Sequence, residues 1–306
     1  SRLYHPSGLG EFLNIIVPAT SANLGPGFDA LGLSLKLYNE VSIQPSKFSS
    51  VSINGEGSQN PKLKRNNLFI SIFNEIFSEL TGKNENFRIV FDNKIPFSRG
   101  LGSSSAVIIS AIASAYAMAG FKVQKSVILN KALIYENHPD NISPAVLGGF
   151  ISAVVQNGAI YANKILLDES IKAVVVIPDK PMSTSSSRQI LPKNYTMKEC
   201  VNNLSHAAFL TSCFCEKRYD LLKIACQDMI HEERRMKALD ALFDVRRTAY
   251  DNGALMSSLS GSGSSFLNIA YADDAQNLKR VLEAKFSDFA VHIFSFDNDG
   301  FVMTQS

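Results

Sequence analysis

The chain has 306 residues, enough for two ordinary hydrophobic cores or one large one. Its 45% apolar and 19% charged residues exclude a disordered or fibrous polymer and describe a globular protein. A formal net charge of +2 excludes a broad attraction to nucleic acid or to an anionic membrane, so any anion must be held by local chemistry.

Residues 1–12, "SRLYHPSGLGEF", contain no apolar signal-peptide stretch and are expected to be an unstructured leader or a non-native addition. The first strand is expected at "LNIIVPA" (13–19), followed by the turn-rich "TSANLGPGFDALG" and the strand-like "LYNEVSIQ". In "NNLFISIFNEIFSEL" (66–80), Leu68, Ile72, Phe73, Ile76 and Leu80 recur at helical spacing. "NFRIVFDN" (86–93) alternates as a strand. The apolar run from Ala106 to Gly120, broken by Ser110 and Ser114, is shorter than a membrane span and predicts an interior helix. A further helix is expected over 123–137 and a strand at "FISAVVQN".

"AVVVIPD" (173–179) predicts a buried central strand that begins a second unit. Helices are expected over 199–214 and 220–236, then a glycine–serine loop running into a strand (258–271), a helix (274–286) and a closing strand (290–297). There is no regular βαβ alternation and no internal repeat, which predicts an α+β fold with mixed or antiparallel sheets. Two domains are expected, 13–160 and 161–306. Cys200, Cys213, Cys215 and Cys226 form no CxxC pair, so free thiols in a reducing cytoplasm are expected rather than disulfides or a zinc site.

"RGLGSSSA" (99–106) is where a glycine-rich turn meets the interior helix. A Walker loop needs a lysine after its last glycine, but Ser103 follows Gly102. A dinucleotide fingerprint needs a glycine where Ser105 stands. What remains is Gly100 and Gly102 setting an unusual backbone path, with unpaired amides and a helix dipole favouring a negative guest. The alternative is a plain helix capped by Ser103 or Ser104.

Four blocks decide between these. "PATSANLGPGFDALGLSL" (18–35), "PFSRGLGSSSA" (96–106), "HPDNISPAVLGGF" (138–150) and "LSGSGSSF" (259–266) occur in the order found in GHMP kinases, and the chain resembles that family from Ile15 to Phe266. The first and third blocks look like those of its homoserine kinases. The resemblance implies a two-domain fold, with an N-terminal ATP-binding domain of ribosomal-S5-domain-2-like topology and a ferredoxin-like C-terminal domain. It implies ATP and Mg²⁺ as co-substrates, and phosphoryl transfer to the side-chain hydroxyl of L-homoserine in threonine biosynthesis. Another small-alcohol kinase of mevalonate or shikimate type, or a non-catalytic ligand sensor on the same fold, are the competing readings. Small-molecule partners are implied, a homodimer is possible, and neither nucleic acid nor membrane is expected.

Carried over by position, the resemblance implies that Pro96, Phe97, Ser98, Arg99, Gly100, Leu101, Gly102, Ser103, Ser104, Ser105 and Ala106 wrap the triphosphate through main-chain amides. Ser104 and Glu136, at the end of the preceding helix, would ligate Mg²⁺, which prefers hard oxygen ligands beside phosphates and water. Asn23 and Asp29 match positions that hold the substrate ammonium. Arg188 and Arg235 match those that take its carboxylate, which a planar guanidinium can bind bidentately. Arg234 is the register alternative to Arg235, and Thr184 matches a hydroxyl lining the same pocket. Many family members carry a catalytic aspartate where this chain has Asn141, and homoserine kinases share this departure. Asn141 is therefore expected to orient the acceptor hydroxyl, with Asp140 and then His138 as fallback bases; His138 is also a candidate substrate contact. The edge of the adenine pocket is expected near 63–69.

Overall fold

The structure, a computed structural model, describes residues 12–306, so the leader expected over 1–12 lies outside the described residues except for Phe12. The first sheet is built on β1 (Leu13–Ala22) and the long β2 (Leu31–Pro45), antiparallel partners with a bulge at Pro18/Ala19. The far edge of β2 is shared. Its start pairs with β5 (Phe150–Gln156), and its end pairs with β4 (Phe87–Asn93), which takes β3 (Ser50–Gly55) in parallel. β5 turns back into β6 (Ala159–Ile165) through Asn157–Gly158, both left-handed as a tight hairpin turn requires.

Four helices accompany this sheet: α1 (Leu68–Thr81), α2 (Ser103–Met118), α3 (Lys125–Ala132) and α4 (Pro139–Leu147). α2 is apolar nearly all round because it is buried nearly all round, against α1, β1, α3 and α4. Its alanines and serines allow that close packing. The helix expected over 123–137 stops at Ala132. Beyond it, the amides of Leu133, Ile134 and Tyr135 reach back only three residues, so the chain tightens and leaves the helix before Pro139. α4, not foreseen as a helix, starts at that proline, which suits the first helical position.

The second sheet has the order β10-β7-β9-β8, all antiparallel: β7 (Ile171–Ile177), β8 (Met256–Leu259), β9 (Phe266–Tyr271) and β10 (Ala290–Phe294). β7 reads as an unbroken apolar run because both faces are covered: Ala173 and Val175 join the main core, while Val174 and Val176 join a second one. That second core is completed by α9 (Ala241–Asp251) and α10 (Ala272–Lys285). α6 (Met197–Cys215) places Leu210 and Phe214 in the main core, with the Phe214 ring stacked on Phe150 at 4.4 Å.

The single helix expected over 220–236 is a correction. The chain forms a short α7 (Leu222–Ala225), a loop, and α8 (Glu232–Met236). The break follows from Asp228, whose carboxylate accepts the amides of Ile230, His231 and Glu232 and so begins a new helix. α5 (Thr184–Gln189) and the C-terminal β11 (Val302–Gln305) complete the elements; β11 returns to pair with β1 of the first sheet. The division expected at 160/161 falls inside β6. No helix among the described residues is long and apolar enough to cross a membrane.

Candidate active site

The cleft lies where the amino end of α2 meets the loop after β1, the amino end of α4 and the residues around α5 and α8. α2 has no side-chain cap: its N-cap is Gly102, left-handed at φ +73°. The amides of Ser103, Ser104 and Ser105 find no acceptor among the described residues, whereas Ala106 N–H is already committed to Gly102 O at 3.0 Å. The serines are therefore not the caps of a plain helix. They begin a helix whose positive end opens onto the cleft.

The two glycines are required by what lies beside them. A Cβ on Gly102 would stand 2.0 Å from Thr20 Oγ1, and one on Gly100 would stand 2.0 Å from Ser260 O, at left-handed φ values in both cases. The glycine–serine segment of the fourth block is in contact with this loop. Ser260 donates to Gly100 O at 2.7 Å, and Ser265 N–H donates to Arg99 O at 3.0 Å.

Of the segment expected to wrap a triphosphate, Ser98 and residues 100–105 line the cleft; Pro96, Phe97, Arg99 and Ala106 do not. Arg99 points away and donates to the carbonyls of Phe97, Pro178 and Asp179, fastening the loop to the end of β7. Phe97 lies beside Gly57, as does Leu63, so the 63–69 segment borders the loop's start.

At the opposite wall, Glu136, His138, Asp29 and Arg188 form a chain of charges. Glu136 Oε1 accepts from His138 N–H at 3.1 Å and lies 3.0 Å from its Nδ1. Burial opposes the charged form of Glu136, yet the two His138 hydrogen bonds hold its carboxyl below the usual range. The Glu136 contact raises His138 in turn. Asp29 Oδ2 lies 3.8 Å from His138 Nε2, and both Asp29 oxygens accept from Arg188, at 2.7 and 3.1 Å. Asn23 lines the cleft, but its amide is occupied: Oδ1 accepts Asp29 N–H at 3.0 Å and Nδ2 donates to Gly261 O at 3.3 Å. It shapes the loop that presents Asp29.

Asp140 and Asn141 stand at the amino end of α4. Asp140 is 6% exposed, and burial together with the nearby Asp29 pushes its carboxyl up to about 7. Asn141 lines the cleft; its Oδ1 accepts from the Thr20 hydroxyl at 2.8 Å, and its Nδ2 has no acceptor among the described residues. Thr20 was not singled out from the sequence. Its signal was a hydroxyl at the buried end of an apolar strand, three residues before Asn23.

Arg235 rather than Arg234 lines the cleft. Arg234 is occupied outside it, by the carbonyls of Met229 and Ile230 and by Glu199 at 3.2 Å. Arg235 is 2% exposed and forms no ion pair with a carboxylate among the described residues. It donates only to Ser187 O and His231 Nδ1, both at 3.3 Å, and burial beside Arg188 lowers it to about 10. Asp29, Asp140 and Asp228 act on it only through space, so this almost buried guanidinium, with no carboxylate paired to it directly, is a site for an anion. His231, four residues earlier, is a further residue the sequence reading missed; the i, i+4 spacing was its only signal. Burial keeps it neutral, and its Nε2–H donates to Gly25 O at 2.8 Å, so the ring ties Arg235 to the Asp29 loop. Phe28 completes this wall, with both guanidinium carbons just over 5 Å from its ring centroid. Thr184 also lines the cleft, and Ser262 donates to it at 3.5 Å.

The Ser104 hydroxyl and the Glu136 carboxylate both face the cleft. No group of three or more His, Cys, Asp or Glu that could hold a metal occurs among the described residues. A hydroxyl and one carboxylate suit Mg²⁺, which takes few protein ligands and completes its shell with phosphate oxygens and water.

Two family models match: the GHMP kinases N terminal domain over residues 67–149 and the GHMP kinases C terminal domain over 210–288. The chain is 79% identical to the homoserine kinase of Campylobacter concisus strain 13826, covering 96% of this chain and 100% of that protein. It is 64% identical to the homoserine kinase of Campylobacter hominis, covering 94% and 98%. The crystal structure of homoserine kinase from Cytophaga hutchinsonii superposes with a TM-score of 0.85 at 26% identity, over 99% of this chain and 100% of that one. The uncapped helix, the charged wall and these full-length similarities agree: the chain belongs to the GHMP kinase family, among its homoserine kinases.

Proposed function

We propose that this protein transfers the γ-phosphoryl group of ATP to the side-chain hydroxyl of L-homoserine, yielding ADP and O-phospho-L-homoserine for threonine synthesis. The observation that carries the reading is Arg235, an almost fully buried guanidinium with no counter-anion, in the same cleft as Asp29 and the uncapped α2. An amino-acid acceptor brings a carboxylate for the first and an ammonium for the second. Shikimate and mevalonate bring a carboxylate but no ammonium, and so offer Asp29 no substrate partner. All four cysteines are free, which suits the reducing cytoplasm.

In this reading the amides of Ser103–Ser105 bind the polyphosphate, with the glycines admitting it close to the main chain. Ser104 and Glu136 would hold Mg²⁺, which when bound would supply neutralisation of the triphosphate charge. Thr20 fixes the amide of Asn141 so that Nδ2 donates to the acceptor oxygen and aims its lone pair at the γ-phosphorus. The new O–P bond forms as the bond to the β–γ bridging oxygen breaks. Such transition states are loose, so positioning contributes more than early deprotonation, and the hydroxyl proton leaves late to a phosphoryl oxygen. Arg188 and Arg235 hold the substrate carboxylate and Asp29 the ammonium.

ADP release measured with homoserine, mevalonate, shikimate and galactose tests the assignment, with turnover expected for homoserine. Arg235→Ala should raise the homoserine KM by at least tenfold while moving the ATP KM by less than threefold, because it removes acceptor binding only. An equal rise in both would remove Arg235 from the acceptor site.

A further inference from the structure

The two groups assigned to opposite ends of the substrate are bonded to each other. Arg188 Nη2 and Nη1 donate to Asp29 Oδ1 and Oδ2 at 2.7 and 3.1 Å, a bidentate pair whose side chains are only 37% and 28% exposed. Arg235, their neighbour across the Phe28 ring, has no such partner. The cleft thus holds one open cation and one cation already neutralised by the carboxylate meant for the ammonium.

We infer that the Arg188–Asp29 pair is an internal surrogate for the substrate zwitterion, closing the amino-acid subsite until a ligand carrying both an ammonium and a carboxylate takes its place. The inference rests on the acceptor reading above. A monoanion can reach Arg235, but to recruit Arg188 it must strip Asp29 of its partner and leave that carboxylate half-buried and unpaired. A monocation has the converse problem with Arg188. A zwitterion alone exchanges one ion pair for two. Arg188 has a short path for the exchange, because both guanidinium groups rest beside the same ring, and turning from Asp29 toward Arg235 keeps that contact. The pair is therefore a specificity device, excluding small alcohols that match homoserine in size but carry one charge or none.

The test is a double-mutant cycle on the full chain, with dissociation constants from calorimetry. The ligands are L-homoserine, 4-hydroxybutyrate (no ammonium) and 3-aminopropan-1-ol (no carboxylate). Asp29→Asn suits the left-handed backbone at this position (φ +61°), where asparagine is well tolerated. It should tighten 4-hydroxybutyrate at least fivefold while weakening homoserine at least tenfold. Simple charge removal would also favour an anion, so the deciding comparison is Arg188→Gln. In the parent, whose Arg188 is engaged, it should change 4-hydroxybutyrate binding by less than twofold; in the Asp29→Asn background it should cost at least tenfold. The same loss in both backgrounds would overturn the surrogate. Should Asp29→Asn fail to fold, Arg188→Gln alone must tighten 3-aminopropan-1-ol at least fivefold, and no gain would overturn it equally. Absence of homoserine binding by the parent would instead sink the acceptor reading itself.

Discussion

Asp140 offers a test of both the electrostatics and the chemistry. It is buried beside Asp29 and Glu136, and its carboxyl is raised from 3.8 to about 7. A folded-state value above the unfolded one means that the native protein binds a proton the unfolded chain lacks. Stability from this group is therefore greatest below pH 4 and declines as the pH rises to 7. Roughly three pH units at about 1.4 kcal/mol each give about 4 kcal/mol, an upper bound because the cleft admits water. Asp140→Asn removes the titration and keeps the size. The variant should match the parent near pH 4 and exceed its stability by about 2–4 kcal/mol at pH 8. Urea unfolding at pH 4.5, 6 and 8 measures this, and other titrating groups cancel in the difference. A difference constant with pH would refute the raised carboxyl. Activity provides the second readout: with Asn141 as the orienting group, kcat should stay within about tenfold of the parent. A fall of three orders of magnitude with homoserine binding intact would make Asp140 the general base.

Other substitutions probe single contacts. Gly102→Ala sets a Cβ against Thr20 Oγ1 at left-handed φ; it should destabilise by about 1–3 kcal/mol in thermal unfolding and raise the ATP KM. Thr20→Val leaves Asn141 Oδ1 without its donor. It should lower kcat at least tenfold with the ATP KM within twofold, while Thr20→Ser restores the rate; equal loss in both variants would make the role one of packing. His231→Phe removes the acceptor of Arg235 and the donor to Gly25 O. Its homoserine KM should rise at least tenfold, and the pH–rate profile of the parent should show no limb from this residue between pH 5 and 8, since burial holds it neutral.

Much of this was legible in the residues. Spacing located α1 and β4, which each bury one face and so repeat at their own period, and unbroken apolar runs located α2 and β7, which are covered on nearly every side. "GLGSSS" without a lysine left an amide-built anion site and a plain capped helix both open, and the four ordered blocks carried the family. What the chain pattern did not carry is set by contacts between residues far apart in sequence. The helix expected over 220–236 is broken where the Asp228 carboxylate takes the amides of Ile230, His231 and Glu232, which the apolar spacing of that stretch does not reveal. Arg234 and Arg235 are adjacent and chemically identical; only the turn of α8 against the cleft separates a residue held by Glu199 from one with no direct ion pair among the described residues. Thr20 meets Asn141 across 121 residues and Arg188 meets Asp29 across 159. Local sequence determines which elements form and which faces they bury, since those depend on neighbours one to four residues away. Which charges become each other's partners is decided only when the packed sheets and helices bring distant loops to one cleft and remove the water that would otherwise keep them apart.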